Sequence, residues 1–305
     1  GCSGGESKET AADTKAESFG TAAAAEETEK AGDGSEAEAT VSAVDVDPES
    51  RLGKILASGK ITMGTAPDFA PMEFKNVGAK GVEYVGSDIE LGKYIAEKLG
   101  VELEIKAMEF SAIQQGLASG TIDMGISGFA YTEERAETLG LSDRYNIQSE
   151  DKGHTLLVLK EDAASYKTAE DFSGKKVVAQ NASLQQSLAT EQLTDSELVL
   201  FTDLGTGVLQ LKNGDFDCIA VAKGNGDSII ANNPEIAMSG FKFVVDEKYT
   251  GNVILLQKGA DALTEAVNAA LASSKDKWDG WYTDAKALAV NGVEQSFDDN
   301  GNAAG

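Results

Sequence analysis

Alternating signals for strands and helices, running from residue 60 to residue 257, constrain the fold more than any other feature of this sequence. Short apolar runs bounded by glycine, proline or aspartate alternate with longer segments whose apolar residues recur with a helical period. Alternation of this kind predicts an α/β fold in which helices cover the faces of sheets. The pattern forms two series, and a late apolar strand at 252–257 returns the chain towards the first.

The order of these series predicts two lobes, each of them an α/β unit. We expect lobe 1 to contain residues 50–149 and 252–305, and lobe 2 to contain residues 154–247. The chain would cross between the lobes near 149–154 and again near 248–252. With 305 residues, the chain is long enough for each lobe to bury a core of its own.

The N-terminal segment has a different character. The first fifty residues hold thirteen acidic side chains against three lysines, which gives −10 of the total formal charge of −25. A segment so acidic and so poor in large apolar residues cannot offset the entropy lost on ordering. The sequence therefore predicts a disordered acidic linker over residues 1–49.

The start of the linker indicates how the protein is held. Gly1-Cys2-Ser3 resembles the processing site of bacterial lipoproteins, in which the cysteine becomes the lipidated N-terminus. This reading implies a signal peptide that is removed, lipidation of Cys2 and an anchor on the outer face of the cell membrane. The alternative is an artificial N-terminal addition followed by a disordered segment.

Charge and composition exclude several classes of function. With 26 basic against 51 acidic side chains, a nucleic-acid or phosphate-binding surface is not expected. Two cysteines far apart and a single histidine indicate neither a disulfide framework nor a metal site, so no cofactor is predicted. Cys218 falls in an apolar strand and is predicted to be an inert core thiol. His154 is predicted to lie at the surface of a hinge.

One stretch, residues 120–139, departs from the local rules. Thr132 is placed as a helix N-cap with Glu133 in the first turn, yet Arg135 occupies the third helical position. A cation there opposes the positive end of the helix dipole. Free N–H groups at a helix start together with a forked guanidinium suit a carboxylate, so one hypothesis is a carboxylate clamp. The alternative is a surface arginine paired with a neighbouring glutamate.

Several ordered blocks of sequence resemble the polar amino-acid family of solute-binding proteins that serve ABC importers. The resemblance spans roughly residues 52–285 and is carried by the runs GKITMGTAPDFAPMEF, VGSDIELGKYIAEKLG, SGTIDMGISGFAYTEERAETLGLSD, DFSGKKVVAQNASLQQ, LKNGDFDCIAVA and NVILLQKGADALTEAVNAAL. It implies a periplasmic-binding-protein-like fold, with two lobes joined by two hinge strands and a ligand cleft between them. It also implies a monomer that captures an amino acid or related small carboxylate and delivers it to a membrane permease.

The same resemblance assigns residues to the site. Arg135 matches the arginine that binds the ligand carboxylate, while Phe69 and Phe110 match rings that grip the ligand. The walls of the site match two short segments, Ser127, Gly128 and Ala130 in lobe 1, and Ser183, Leu184 and Gln185 in lobe 2. Other roles remain open, because Phe69 and Phe110 suit a packed core and Ser183 suits a helix N-cap.

The sequence departs from the family where the ligand ammonium is normally neutralised. Ala66 and Ala222 stand at the positions of two acidic residues, and a buried ammonium without a partner is unfavourable. Three other acidic side chains could supply the charge: Asp68, Glu109 and Asp227. Otherwise the ligand is not an ordinary α-amino acid, and Lys223, if it faces the cleft, would favour a more negative one.

Two further classes of function stay open. The first is an enzyme on the same scaffold, as in the dehydratase relatives of the family, which needs an acid or base in the cleft. The second is the ligand-sensing module of a receptor, which needs segments that this chain, ending at Gly305, does not contain. We expect a binding protein and not an enzyme.

Overall fold

The computed structural model describes residues 45–78, 81–147 and 152–291. The predictions for Cys2 and for residues 1–44 lie outside the described residues. The described helices are α1 (Arg51–Ser58), α2 (Ser87–Leu99), α3 (Phe110–Ala118), α4 (Glu133–Thr138), α5 (Leu184–Gln192), α6 (Leu204–Lys212), α7 (Lys223–Asn232), α8 (Asp261–Ser273) and α9 (Trp278–Asn291). None of these helices is both long enough and apolar enough to cross a membrane.

Thirteen described strands form three sheets. The strands are β1 (Lys60–Thr65), β2 (Asp68–Phe69), β3 (Glu73–Gly78), β4 (Gly81–Val85), β5 (Glu102–Ala107), β6 (Met124–Gly125), β7 (Gly140–Leu141), β8 (His154–Leu159), β9 (Lys176–Gln180), β10 (Glu197–Phe201), β11 (Cys218–Ala222), β12 (Ile236–Lys242) and β13 (Leu255–Leu256). The sheet orders are β5-β1-β6-β13-β7, β10-β9-β11-β8-β12 and β2-β3-β4.

The strand order explains how one chain builds two lobes. β1 pairs in parallel with β5 and β6, whereas β13 joins the same sheet antiparallel to β6 and β7. The chain thus leaves the first sheet after β7, builds the second from β8 to β12, and returns as β13. We call the first sheet with its helices lobe 1 and the second lobe 2. The predicted two-lobe α/β fold is confirmed.

The two crossings between the lobes run side by side. Tyr145 forms a bridge with Asn252, and the Asn146 amide donates to Asn252 Oδ1 over 2.6 Å. Asn252 Nδ2 in turn donates to the carbonyl of Gly128 over 2.8 Å. Polar side chains therefore tie the crossings to each other and to the loop that follows β6.

Helix α2 shows why local sequence was a good guide in lobe 1. Its apolar residues Ile89, Leu91, Ile95 and Leu99 are all buried, as their spacing predicts. Gly100 ends the helix in the left-handed conformation, with φ of 67°. The predicted helix and its glycine C-cap are confirmed, and they cover one face of the first sheet.

Three element boundaries differ from the sequence pattern. Asp47-Pro48 predicts the start of the first helix, but α1 begins at Arg51 because the Ser50 hydroxyl accepts the N–H of Gly53. The pattern begins the sixth helix at Val208, but α6 begins at Leu204, since Asp203 accepts the N–H of Thr206. The predicted strand at 241–245 is wrong, because the chain pairs with β8 over Ile236–Lys242 instead.

Helix α9 contacts both lobes. On the side of lobe 1, the ring of Trp281 lies 5.6 Å from that of Tyr94 and the ring of Trp278 lies 6.4 Å from that of Tyr145. On the side of lobe 2, Asn232 Nδ2 donates to the carbonyl of Ala289 over 2.9 Å. The sequence predicts a helix carrying Trp278 and Trp281, but not that it bridges the lobes.

Gly86, which joins β4 to α2, should tolerate no side chain. Its φ is 128°, and a Cβ atom would collide with the main-chain carbonyl of Met72. We expect Gly86→Ala to lower the free energy of unfolding by roughly 3 kcal/mol or more, from backbone strain together with the clash. Gly100→Ala is the control: it also has a positive φ but open space around it, and should lose only about 1 kcal/mol. Urea denaturation of the two variants would measure both, and equal losses would contradict the clash.

Candidate functional site

Arg135 is buried at the start of α4, and 4% of its surface is exposed. Thr132 caps the helix as predicted, since its Oγ1 accepts the N–H of Arg135 over 3.1 Å. The guanidinium donates from Nη1 to the carbonyl of Ala130 over 2.6 Å and from Nη2 to that of Ala182 over 2.8 Å. The alternative of a solvated surface arginine is therefore wrong.

The environment of the guanidinium supplies contacts but little negative charge. It lies 5.0 Å from the centre of the Phe129 ring and 5.8 Å from that of Phe110. No acidic side chain in the described part of the chain forms a salt bridge with it, and burial lowers its pKa to about 10. A buried cation bonded to neutral carbonyls is an incomplete pair, so an anionic group is the partner that it lacks.

The hydrogen bond to Ala182 joins the lobes at this point. Ala182 belongs to lobe 2 and adopts a left-handed conformation, with φ of 65°. Two more hydrogen bonds cross the cleft: Leu204 N donates to Asp68 Oδ2 over 2.8 Å, and Asn225 Nδ2 donates to the carbonyl of Ala70 over 2.9 Å. The lobes therefore meet through a layer of polar groups.

A small cavity of about 20 Å³ lies within this layer. Residues from both lobes line it: Ala66, Asp68, Phe69, Glu73, Phe110, Ser127, Gln180, Ser183 and Gln185. A cavity of this size holds about one water molecule. It can therefore hold a group as small as an ammonium without a change in the surrounding structure. We call it the acidic cavity.

Asp68 gives the acidic cavity its charge. Its Oδ2 accepts the N–H of Leu204, but its Oδ1 is buried and has no hydrogen-bond partner among the described residues. Burial raises the pKa of this carboxyl to about 7, and the nearby charge of Asp203 adds to the effect. A cation beside Oδ1 would restore the ionised form.

A second group of acids supports the acidic cavity from behind. The Ser127 hydroxyl donates to Glu73 Oε1 over 2.9 Å and accepts the N–H of Ala66 over 3.0 Å. Glu73 lies against Asp88, and burial and that neighbour raise the pKa of Glu73 well above its usual range. Glu73 therefore holds its proton to a higher pH than a solvated glutamate does.

Asp88 fixes the loop that follows β6. It accepts the N–H of Gly128 over 2.8 Å and the hydroxyl of Tyr145 over 3.0 and 3.1 Å. Sequence reasoning did not assign Glu73 or Asp88. Acidic residues in otherwise apolar surroundings, within the runs PMEF and GSDIEL, were the available signal.

A larger cavity of about 370 Å³ lies next to the acidic cavity and is shared by both lobes, both crossings and α9. Two of the predicted wall residues, Ala130 and Leu184, line it, together with Ala222 and with Trp278 and Tyr282 of α9. None of the described residues around it is acidic, and the one charged residue among them, Lys152, is exposed. We call it the neutral cavity. Phe69 lines both cavities.

His154 lines the neutral cavity and is not the surface residue that the sequence predicts. Its Nδ1 lies 3.0 Å from Nε2 of Gln185, close enough to accept a hydrogen bond from that amide. Burial lowers the pKa of the imidazole to about 4, so the ring is neutral at physiological pH. His154 lies there because it begins β8, which is paired on both sides and carries the residue between the lobes.

The structure gathers most of the predicted site residues, with clear exceptions. Asp68, Phe69, Phe110, Ser127, Ser183 and Gln185 line the acidic cavity. Gly128 lies beside Phe69, where an added Cβ would be 3.2 Å from the ring. Glu109 is exposed at the start of α3 and lines neither cavity. Asp227 is bonded at the surface to Lys223, over 2.6 Å. Of the three candidate acids, the structure brings Asp68 alone to the site.

Comparison with known proteins decides the family. The model described as bacterial extracellular solute-binding proteins, family 3, matches residues 61–285. The chain belongs to this family. The family that the sequence resembles is thereby confirmed, and this family-3 protein shares its two-lobe fold with the solved structures that it matches.

Two relatives and two solved structures show how far the similarity extends. The chain is 28% identical to the arginine-binding extracellular protein ArtP of Bacillus subtilis, over 78% of this chain and 91% of ArtP. It is 29% identical to the probable histidine-binding protein of Campylobacter jejuni, over 66% and 78%. The amino acid ABC transporter substrate-binding protein AbpA of Streptococcus pneumoniae, bound to L-arginine, gives a TM-score of 0.74 with 32% identity, over 78% of this chain and 99% of AbpA. The ancestral amino acid-binding protein AncCDT-1, a precursor of cyclohexadienyl dehydratase, gives 0.65 with 26% identity, over 77% and 99%.

The raised pKa of Asp68 predicts how stability depends on pH without ligand. Between about pH 4 and about pH 7 the folded state retains a proton that the unfolded state releases, so the free energy of unfolding contributed by this group falls as pH rises. The limit for one group is about 1.4 kcal/mol per pH unit. We expect Asp68→Asn to remove this loss and to be more stable than the parent at neutral pH.

Urea denaturation across that pH range would measure the effect. The difference between Asp68→Asn and the parent should shrink towards pH 4, where both forms are uncharged at this position. Asp227→Asn is the matched control, because its carboxyl is 40% exposed and paired with Lys223. Parallel curves for Asp68→Asn and the parent would contradict the buried, protonated state of Asp68.

Proposed function

We propose that this protein is an extracytoplasmic lipoprotein that binds an α-amino acid between its lobes for an ABC importer. The observation that carries the proposal is a buried guanidinium without a salt bridge in the described part of the chain and a carboxyl with one buried, unpartnered oxygen, both beside one cavity. Arg135 lies over the ring of Phe110, and Phe110 lines the acidic cavity together with Asp68. A guanidinium and a carboxyl so arranged are complementary to the carboxylate and ammonium of an amino acid.

The ligand carboxylate takes the place of the carbonyls around Arg135. A guanidinium has five N–H donors in a planar fork, so it can bind a carboxylate in a bidentate manner after giving up its bond to Ala182. The neighbouring start of α5 offers main-chain donors of the same kind. Ser183 caps that helix, because its Oγ accepts the N–H of Gln186 over 3.2 Å. A helix start is a favourable place for an anion.

The ligand ammonium is neutralised by Asp68. This residue replaces the acids that the resemblance places at Ala66 and Ala222, and its unpartnered Oδ1 supplies an acceptor at the edge of a cavity of the right size. Ser127 and the main chain around it complete the contacts. The ligand can therefore be an ordinary α-amino acid, and Glu109 and Asp227 have no part in binding it.

The names of the relatives support the class of ligand. ArtP is an arginine-binding protein, AbpA is an amino acid transporter's substrate-binding protein solved with L-arginine bound, and the Campylobacter jejuni relative is a probable histidine-binding protein. We infer that this protein also binds an amino acid, acts as a monomer and passes its ligand to a membrane permease. The dehydratase alternative gains no support from them, since AncCDT-1 is itself described as an amino acid-binding protein.

Removal of the guanidinium should abolish tight binding. We expect Arg135→Ala to weaken the binding of L-amino acids on the order of a hundredfold or more, since it leaves a desolvated carboxylate unpaired. Arg135→Lys should recover little, because an ammonium cannot form the bidentate pair. Calorimetry with a panel of L-amino acids would measure both. Arg144→Ala is the control, because Arg144 is exposed and lies over the ring of Tyr131. Parental affinity in Arg135→Ala would exclude this carboxylate site.

Lipidation of Cys2 predicts where the protein is found in cells. When it is expressed with a lipoprotein signal peptide, we expect the parent in the membrane fraction and Cys2→Ala in the soluble extracytoplasmic fraction, because a lipid chain supplies the membrane affinity. Cell fractionation followed by mass spectrometry of the mature N-terminus would measure this. A mature N-terminus at another residue would refute the lipid anchor.

A further inference from the structure

We infer that the neutral cavity is the side-chain pocket of the amino-acid site, and that it selects an amino acid with a large, uncharged, hydrogen-bonding side chain. This inference rests on the proposed function and adds the substrate class. It departs from the arginine named for several relatives.

The arrangement of the walls places the ligand between the two cavities. Arg135 Nη1 donates to the carbonyl of Ala130, and Ala130 lines the neutral cavity. In lobe 2, consecutive residues face different cavities, since Ser183 lines the acidic cavity and Leu184 lines the neutral one. A carboxylate held at Arg135 therefore lies where the cavities meet.

The α-carbon of an amino acid carries a carboxylate, an ammonium and a side chain. With the carboxylate at Arg135 and the ammonium beside Asp68, the side chain has the neutral cavity as its available space. The acidic cavity, at about 20 Å³, has no room for it. The neutral cavity, at about 370 Å³, is large enough for an extended amide or an aromatic ring.

The charges around the neutral cavity disfavour a cationic side chain. Its lining, within the described ranges, contains no aspartate or glutamate, and its one charged residue, Lys152, is itself a cation. The imidazole of His154 is neutral, because burial holds its pKa at about 4. A guanidinium or ammonium inserted here would lose water without gaining a counter-charge.

Two residues of the lining each carry a buried polar atom that lacks a partner among the described residues. Asn225 is 3% exposed; its Nδ2 donates to Ala70, but its Oδ1 accepts no hydrogen bond among the described residues. Trp278 is 4% exposed and its Nε1 donates none. One free acceptor and one free donor match the N–H and C=O of a primary amide, or the polar group of an aromatic side chain. The apolar surface of Met72, Phe243 and Tyr282 suits the remainder.

A ligand panel tests this selectivity. Calorimetry on the full chain would compare L-glutamine, L-tyrosine and L-tryptophan with L-arginine, L-lysine, L-glutamate and L-alanine; L-glutamate as the tightest ligand would also overturn the inference. We expect the tightest of the three large uncharged amino acids to bind at least about tenfold more tightly than L-arginine or L-alanine. L-Arginine or L-lysine as the tightest ligand would overturn the inference.

A charge placed in the cavity should reverse the preference. In Ala222→Asp we expect the ratio of L-arginine affinity to L-glutamine affinity to rise at least about tenfold, because the new carboxylate faces the side chain. In Ala222→Leu, which fills space without charge, affinity for the large ligands should fall relative to that for L-alanine. Unchanged ratios in both variants would show that the side chain lies elsewhere.

The two tryptophans provide a direct readout of position. They are Trp278, which lines the neutral cavity, and Trp281, which packs on Tyr94 and does not. With Trp281→Phe, the fluorescence of Trp278 should change on addition of L-glutamine or L-tyrosine. With Trp278→Phe, the fluorescence of Trp281 should change little. Equal responses of the two would place the side chain outside the cavity.

These outcomes separate the inference from the proposed function. If L-arginine binds best but Arg135→Ala and Asp68→Asn still weaken it, the amino-acid site stands and the selectivity is wrong. If the amino acids bind independently of Arg135 and Asp68, the proposed site itself fails, whatever the order of affinities.

Discussion

Burial of the Arg135 guanidinium without a neighbouring carboxylate is the interaction on which the rest of the site depends. Main-chain carbonyls and two aromatic rings hold the cation in place but do not neutralise it. Because one of those carbonyls belongs to lobe 2, the same group that would bind a ligand also joins the lobes. A ligand carboxylate can exchange with this contact, which couples binding to the relative position of the lobes.

The carboxyl groups on the other side of the site are also incompletely paired, but they are acidic where Arg135 is basic. Asp68 is half-buried and Glu73 is fully buried. Each has a buried oxygen without a partner among the described residues, and burial raises the pKa of both. Such groups reduce the stability of the unliganded protein at neutral pH. In the proposed site, they are already in place for a cationic group before the ligand arrives. Binding sites commonly lower the stability of the unliganded protein in this way.

Helix α9 and the two crossings set the shape of the space between the lobes. The crossings are held together through Asn146 and Asn252, and α9 contacts α2 in lobe 1 and α7 in lobe 2. Trp278 and Tyr282 of this helix form part of the wall of the neutral cavity. The last described helix therefore contacts both lobes and forms part of the pocket that we infer to hold the ligand side chain.

The sequence alone determined the α/β alternation, helix α2 with its cap at Gly100, the cap at Thr132 and the anomaly of Arg135. Each follows from periodicity or from contacts between residues a few positions apart, so local rules suffice. Family motifs also pointed to the segments that line the cavities. The tertiary structure decided the charge of each cavity, because that charge is a sum over side chains from distant segments. It brought Glu73 against Asp88, half-buried His154 between the lobes, and left Glu109 and Asp227 at the surface. Short-range pattern carries no information about which of several acids will lose its water, and this loss is the basis on which we propose Asp68 as a binding group.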